Sequence, residues 1–197
     1  MRILSMIAGL FMFAAAANAA APARDPENTL YLQLKDGRVV IELRPDLAPE
    51  HVKRIKELTR QGFYDGLVFH RVIDGFMAQT GDPTGTGMGG SKLPNLKAEF
   101  NNAHHVRGTL SMARASDPNS ANSQFFICFK ASPFLDGQYT VFGQVVEGME
   151  FVDHIKKGDS ANNGTVSNPD KIVSLKVAAD VDGKAAAAAT TATPQAK

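Results

Sequence analysis

The sequence predicts one mostly β domain, folded as a closed barrel or a sandwich, with only two helices. Its length of 197 residues fits a single domain with short appendages. Short runs of β-favouring residues alternate with Asn, Asp, Pro and Gly turns, and only two stretches place apolar residues at helical spacing. The hydrophobic fraction of 44% is enough to form a sizeable core.

The domain begins with a hairpin and a helix. Strands are predicted over residues 30–34 and 39–43, because two β-favouring runs flank an Asp-Gly turn. A helix is predicted over residues 46–61, since Pro49 lies near its start, apolar residues recur at helical spacing, and Gly62 can end it.

The later elements continue this alternation. Residues 81–95 are rich in Gly, Pro and Thr and are predicted to form a long surface loop. A second helix is predicted over residues 146–157. The remaining predicted strands cover residues 68–73, 76–80, 109–113, 124–129, 140–145 and 171–177.

The first 19 residues have the order of features that is typical of a secretory signal peptide. Arg2 supplies a positive start, and the apolar run over residues 3–17 is shorter than the roughly 20 residues of a transmembrane helix. Ala17-Asn18-Ala19 then has the small-x-small form that signal peptidases cut. We therefore expect a leader over residues 1–19, with an uncleaved amphipathic or buried helix as the alternative.

The rest of the chain divides into three parts. Residues 20–28 form a polar lead-in, and the folded domain is expected over residues 29–179. Residues 180–197 contain an alanine run and are predicted to be a low-complexity tail that need not pack.

Composition and cysteine content exclude several classes of function. The chain has 21 Lys and Arg residues against 20 Asp and Glu residues, and loss of Arg2 with the leader leaves 20 of each. This balance gives no bulk attraction to nucleic acid or to an anionic membrane. Cys128 is the single cysteine, so an internal disulfide is impossible, and its aromatic neighbours predict a buried, inert thiol.

Two other kinds of site are weakly supported. Residues 85–90 match the Gly-x-Gly-x-x-Gly pattern of dinucleotide-binding turns, but Pro94 follows and no helix begins there, so a flexible loop is the favoured interpretation. Ser91-Lys92 also reverses the order that a phosphate-binding loop requires. The five histidines include no pair with the spacing of metal ligands on one helical face, so no metal and no cofactor are expected.

Five short motifs follow one another between Phe69 and Gly148. They read Phe-His-Arg-Val-Ile-Asp-Gly-Phe-Met-Ala-Gln at 69–79, Gly-Thr-Leu-Ser-Met-Ala at 108–113, Ser-Gln-Phe-Phe-Ile at 123–127, Phe-Leu-Asp-Gly at 134–137 and Val-Phe-Gly-Gln-Val at 141–145. In this order and at these spacings the motifs resemble those of the cyclophilins, the peptidyl-prolyl cis-trans isomerases, and in particular the exported bacterial members. The resemblance covers residues 30–177.

The resemblance implies a closed eight-stranded antiparallel β-barrel capped by two α-helices, with a substrate groove on the outer face of the barrel. It implies that Arg71 and Gln79 are the catalytic residues. The residues that it implies for substrate binding are Phe76, Met77, Ala113, Arg114, Gln124, Phe126, Phe134, Leu135 and Tyr139. Phe134 stands where many cyclophilins have Trp, and Tyr139 lies near a position often filled by His, so we expect cyclosporin to bind weakly at best.

The residues also make physical sense without the family. On a strand, Gln124 and Phe126 share one face, while Phe125, Ile127 and Phe129 share the other, which is apolar and suits the core. Taken alone, Phe126 would be assigned to the core, and Arg71 to a solvated strand or an ion pair. The neighbouring motifs favour a functional role for both.

Catalysis of proline isomerisation requires a hydrogen-bond donor rather than a nucleophile. Rotation about an X-Pro bond breaks amide conjugation, with a barrier of roughly 18–20 kcal/mol, and the twisted form has a lone pair on the prolyl nitrogen. A guanidinium aimed at that nitrogen stabilises the twisted form more than either planar form. Arg71 is the predicted donor, and it stays charged at physiological pH.

The predicted protein is thus a monomeric isomerase acting on proline-containing segments of unfolded or exported proteins. It is expected in a bacterial periplasm, with secretion as the alternative, and without a membrane or nucleic-acid partner after leader removal. Two other functions stay open at this point: a non-catalytic proline-peptide binder or chaperone on the same fold, and a nucleotide-binding protein that uses the glycine-rich loop.

The leader prediction has a direct test. Mass spectrometry of the exported protein should find a mature chain that starts at Ala20, because Ala17 and Ala19 are the small residues that flank Asn18. Cleavage one or two residues away would still support export. A mature protein that retains residues 1–19 would contradict it.

Overall fold

The computed structural model describes residues 24–183 and confirms a mostly β fold with eight antiparallel strands. The predicted leader and residues 184–197 lie outside the described residues. The strands are β1 Thr29–Gln33, β2 Arg38–Leu43, β3 Arg71–Ile73, β4 Met77–Thr80, β5 Thr109–Met112, β6 Phe125–Cys128, β7 Val141–Glu147 and β8 Ser174–Val177. Two helices lie between strands, α1 Pro49–Arg60 and α2 Met149–Asp153, with short 3-10 turns at Pro26–Asn28, Pro133–Leu135 and Ser160–Asn162.

Among residues 24–183, the sheet curls into a barrel that no pair of strands closes. Its strand order is β3-β4-β6-β5-β7-β2-β1-β8, so β3 and β8 are the two edges. Irregular segments join these edges, since Ile172 N–H donates to Leu67 O at 2.8 Å and Phe69 N–H donates to Asp170 O at 2.9 Å. The predicted closed barrel is therefore correct in its strands and overstated in its closure.

Alternation along the strands produces two separate apolar clusters. The larger one fills the barrel and includes Val72, Ala78, Leu110 and Ile127. These four residues lie opposite one another on β3, β4, β5 and β6. The residues next to them in sequence point outwards, and the smaller cluster there consists of Met77, Phe126, Cys128 and Leu135.

Helix α1 covers one end of the barrel, where Ile55 and Leu58 are fully buried against the main core. It begins at Pro49, three residues after the predicted start at 46, because the preceding residues form a turn. A distant carboxylate caps it, because Glu99 accepts the backbone N–H of Glu50 at 3.2 Å and that of His51 at 3.1 Å. This acceptor satisfies amide groups that a helix start leaves unpaired.

Helix α2 is much shorter than predicted. Strand β7 continues to Glu147, and Gly148, with φ 78°, turns the chain into a helix of only five residues. The side chain of Lys157 folds back onto the carbonyl groups of Asp153 and Ile155, which ends the helix. The apolar spacing over 146–157 mixes strand and helix residues, and this explains the wrong boundary.

Residues 178–183 are helical and contact the barrel. Arg60 Nε donates to Asp180 Oδ2 at 3.0 Å, and the Tyr31 hydroxyl donates to Asp182 Oδ2 at 2.8 Å. The packed chain therefore extends a few residues beyond the predicted domain end at 179. Within residues 24–183, no helix is both long and apolar enough to cross a membrane.

The glycine-rich segment is a loop, as predicted, but a buried carboxylate organises it. Asp82, only 1% exposed, accepts the backbone N–H groups of Thr84, Thr86, Gly87 and Gly89 at 2.7, 3.1, 2.6 and 3.1 Å. Burial alone would raise the pKa of Asp82, but these donors outweigh it and lower the pKa to about 2. The loop amides thus face an internal anion, which argues against their use for a bound phosphate.

We expect Asp82→Asn to reduce the free energy of unfolding by about 2 kcal/mol at pH 7, because the amide cannot replace the charged acceptor. The folded-state pKa lies below the ordinary value of 3.8, so this stabilisation is present above about pH 4 and is lost as the pH falls towards 2. Urea unfolding at a series of pH values measures it.

The same substitution at the exposed Asp117, whose carboxylate accepts only the Asn119 N–H at 2.9 Å within the described residues, is the matched control. Asp117→Asn should change stability much less. A difference between wild type and Asp82→Asn that stays constant from pH 7 to pH 2 would contradict the proposed anchor.

Candidate active site

The register of four strands aligns the central polar residues of the site. Arg71 on β3 lies opposite Gln79 on β4, Gln79 lies opposite Phe126 on β6, and Phe126 lies opposite Ser111 on β5. Directly opposed residues in an antiparallel sheet share a face. The sheet therefore places a cation, an amide and an aromatic ring side by side on its outer surface.

The guanidinium of Arg71 is held on two sides. Its Nη1 donates to Gln79 Oε1 at 3.2 Å, while Nε donates to Asn163 O at 3.0 Å and Nη2 donates to Asn163 Oδ1 at 2.9 Å. Arg71 is half-buried, and burial lowers its pKa from the ordinary arginine value of 12.5. An arginine keeps its charge under such conditions.

An apolar pocket of about 400 Å³ opens beside this guanidinium. Met77, Phe126 and Leu135 form its floor and are at most 7% exposed. Phe76 and Phe134 form a wall, with ring centroids 5.4 Å apart, and Phe134 is 63% exposed at the rim. A small apolar ring fits this arrangement, with the charged group at its edge.

The opposite wall of the pocket is built around Tyr139. Its ring meets Phe126 edge-on at 6.0 Å between centroids, and the guanidinium of Arg114 lies 4.6 Å over it. Arg114 also donates to the carbonyl of Gln138 at 2.9 Å, which holds it along the rim. The Ala113 N–H is already donated to Gln124 O at 3.0 Å, so its carbonyl is the backbone group left for a peptide.

Gln124 lies in an adjoining groove of about 600 Å³ rather than in the apolar pocket. Its Nε2 donates to the carbonyls of Gly87 and Gly89 at 3.0 and 2.8 Å, and its Oε1 accepts from Gln79 Nε2 at 2.9 Å. These contacts fix which way both glutamine amides point. The two grooves share Gln79, Ala113 and Arg114, so an extended chain can cross both.

A buried histidine supports the pocket floor from below. His105 stacks on Phe126 with 6.1 Å between centroids, and its Nε2 lies 3.0 Å from Ser111 Oγ. Its Nδ1 and that of His104 contact the two oxygens of Asp136 at 2.8 and 2.7 Å. Hydrogen bonds from His104, and then from His105, hold the pKa of Asp136 well below its usual range.

Cys128 lies beneath the same pocket and is fully buried. Burial raises the pKa of its thiol to about 12, so the sulfur stays protonated and unreactive at neutral pH. This finding agrees with the inert role predicted from its aromatic neighbours.

The structure brings almost all the predicted site residues into one pocket. Gln124 is the exception, since it lines the adjoining groove and is hydrogen-bonded to Gln79 of the pocket. Sequence reasoning missed Gln138, which lines the pocket, and Asn163, which holds Arg71. Asn163 lies outside the five motifs, 92 residues after Arg71, so no local signal pointed to it.

Comparison with protein families and relatives agrees with this geometry. The family model described as cyclophilin type peptidyl-prolyl cis-trans isomerase/CLD matches residues 29–177. A relative from Brucella suis, named probable peptidyl-prolyl cis-trans isomerase, is 58% identical over 171 residues, which cover 81% of this chain and 87% of that protein. Peptidyl-prolyl cis-trans isomerase B of Bacillus subtilis is 45% identical over 133 residues, covering 66% and 92%.

Solved structures show the same fold. A cyclophilin from Hirschia baltica superposes with a TM-score of 0.70 at 30% identity, covering 78% of this chain and 75% of that one. A Cryptosporidium parvum cyclophilin-type isomerase, crystallised in the presence of the dipeptide Ala-Pro, gives 0.69 at 31% identity and covers 76% and 98%. The family match over residues 29–177 and the 58% identical relative show that the chain belongs to the cyclophilin-type peptidyl-prolyl cis-trans isomerase family.

Proposed function

We propose that this isomerase accelerates rotation about X-Pro bonds by directing the guanidinium of Arg71 at the prolyl nitrogen. The observation that carries the proposal is the position of that guanidinium, held by Gln79 and Asn163 at the edge of an apolar pocket. A donor at this place stabilises the pyramidal nitrogen of the twisted amide and gains little from the planar forms.

The hydrogen-bond count of Arg71 supports this role. A guanidinium has five N–H groups. Among the described residues, one N–H on Nε, one on Nη1 and one on Nη2 are donated to Asn163 and Gln79. One N–H on each terminal nitrogen is left for a substrate. The fixed donors set the direction of the two that remain.

The other groove residues position the substrate. We assign the pyrrolidine ring to the floor formed by Met77, Phe126 and Leu135, between the aromatic walls of Phe76 and Tyr139. Ala113 offers its carbonyl, and Arg114 lines the rim over which the chain continues past Gln124. The related cyclophilin studied with Ala-Pro supports a proline-containing peptide as the ligand of such a groove.

The cellular setting is part of the same proposal. We assign the mature enzyme to the periplasm, with secretion as the alternative, because the first 19 residues have the features of a cleaved leader. Its substrates are then X-Pro segments of unfolded or exported proteins. A monomer is sufficient, since residues of one chain supply every wall of the groove.

Arg71→Ala should lower kcat/KM for an X-Pro peptide about 100-fold, mainly through kcat, because it removes a donor aimed at the transition state. Arg71→Lys should also be poor, since lysine keeps the charge but loses the planar fork that reaches both Gln79 and the substrate. Protease-coupled and single-turnover isomerisation assays measure both variants, with circular dichroism to establish folding.

Arg44→Ala is the matched control, because Arg44 is a surface residue paired with Asp46 at 2.6 Å and lies outside the groove. It should isomerise at the wild-type rate. A folded Arg71→Ala protein with near wild-type kcat would refute the mechanism and favour the passive proline-binding function.

Phe134→Trp should strengthen cyclosporin binding more than it changes catalysis. Phe134 stands exposed at the rim, and an indole would add apolar area and an N–H donor that phenylalanine lacks. Calorimetric titration compares the two proteins, and the isomerase assay gives the effect on turnover. Equal affinities in folded proteins would show that another position, such as Tyr139, controls binding of the drug.

A further inference from the structure

We propose that Asn163 is a positioning residue that fixes the orientation of the Arg71 guanidinium in the groove. This inference rests on the proposed catalytic role of Arg71. It assigns a function to a residue that lies outside the five motifs and in the loop formed by residues 158–165.

Asn163 accepts two hydrogen bonds from one edge of the Arg71 guanidinium. Its main-chain carbonyl accepts from Nε at 3.0 Å, and its side-chain Oδ1 accepts from Nη2 at 2.9 Å. Two parallel bonds on the same edge fix the plane of the group as well as its position. The contact to Gln79 on the other side is single and longer, at 3.2 Å. Most of the orientation therefore comes from Asn163.

The backbone conformation of Asn163 allows both of its oxygen atoms to accept from Arg71. It follows the 3-10 turn Ser160–Asn162 in the left-handed region, at φ 50° and ψ 31°. Asparagine tolerates this region better than other residues with a side chain. Here the main-chain oxygen and the side-chain oxygen of the same residue both reach the arginine.

The loop that carries Asn163 is fixed to the strand that carries Arg71. Val72 N–H donates to Gly164 O at 2.8 Å, and Gly158 N–H donates to Val72 O at 2.8 Å. A side chain at Gly164 would collide with Val72 and Ile73, so the loop approaches the strand as closely as glycine allows. Asn163 and Arg71 are thus held in one local frame.

Loss of this orientation should lower kcat more than it weakens substrate affinity. A long arginine side chain has many rotamers, and a guanidinium free to turn would present its two remaining donors in the wrong direction most of the time. The apolar pocket floor, which binds the proline ring, does not include Asn163.

The test is Asn163→Gly, which keeps the left-handed backbone and the main-chain acceptor and removes only the side-chain acceptor. We expect kcat for an X-Pro peptide to fall about 5- to 20-fold, with KM changed less than twofold. Asn168→Gly is the matched control, because Asn168 is the other described non-glycine residue with positive φ, at 52°, and it does not contact Arg71. It should keep the wild-type kcat.

The double variant with Arg71→Ala separates positioning from a structural effect. If Asn163 acts through Arg71, adding Asn163→Gly to Arg71→Ala should change the residual rate less than twofold. An equal fall in both backgrounds would overturn the inference, and so would a wild-type kcat for Asn163→Gly. If Arg71→Ala alone is fully active, the proposed role of Arg71 fails first. If it is slow and Asn163→Gly is normal, only the role of Asn163 fails.

Discussion

The register between β3, β4, β6 and β5 is the constraint on which the rest of the site depends. In this register Val72 and Ile127 fill the barrel, while Arg71 and Phe126 point outwards. A slip of one residue would exchange the two sets, burying the guanidinium in the core and exposing aliphatic side chains. The burial of the large inner cluster therefore fixes the position of the catalytic surface. Stability and function use opposite faces of the same strands.

On that outer face, hydrogen bonds run from Arg71 to the glycine-rich loop, and each side chain along the way donates to the next group. The carbonyls of Gly87 and Gly89 accept from Gln124, Gln124 accepts from Gln79, and Gln79 accepts from Arg71. Asp82 holds the loop that supplies the two carbonyls. Each glutamine side-chain amide can point only one way, so the glycine-rich loop orients the far side of the guanidinium. The dinucleotide-like spacing of its glycines reflects tight turns around a carboxylate.

Patterns in the local sequence predicted the parts of the structure that depend on interactions between residues close in sequence. The hairpin, the presence of α1 and the two faces of β6 followed from turn residues and periodicity, and the motifs identified Arg71 and Phe126. The boundary of α2 was wrong because it depends on how far β7 pairs with β2, which is a long-range contact. Asn163 was missed for the same reason, since its relevance comes from its hydrogen bonds to Arg71, which lies on a strand far away in sequence.

The proposed mechanism depends on which donors of the Arg71 guanidinium are already committed within the protein. Burying a guanidinium is unfavourable unless its donors are satisfied, and Asn163 with Gln79 satisfies three of them. In the mechanism we propose, one of the two that remain donates to the prolyl nitrogen once its lone pair becomes free. A planar X-Pro amide lacks that lone pair, because it is delocalised into the carbonyl. In this proposed mechanism the enzyme binds the twisted amide more strongly than either planar form, and this difference lowers the barrier without any covalent step.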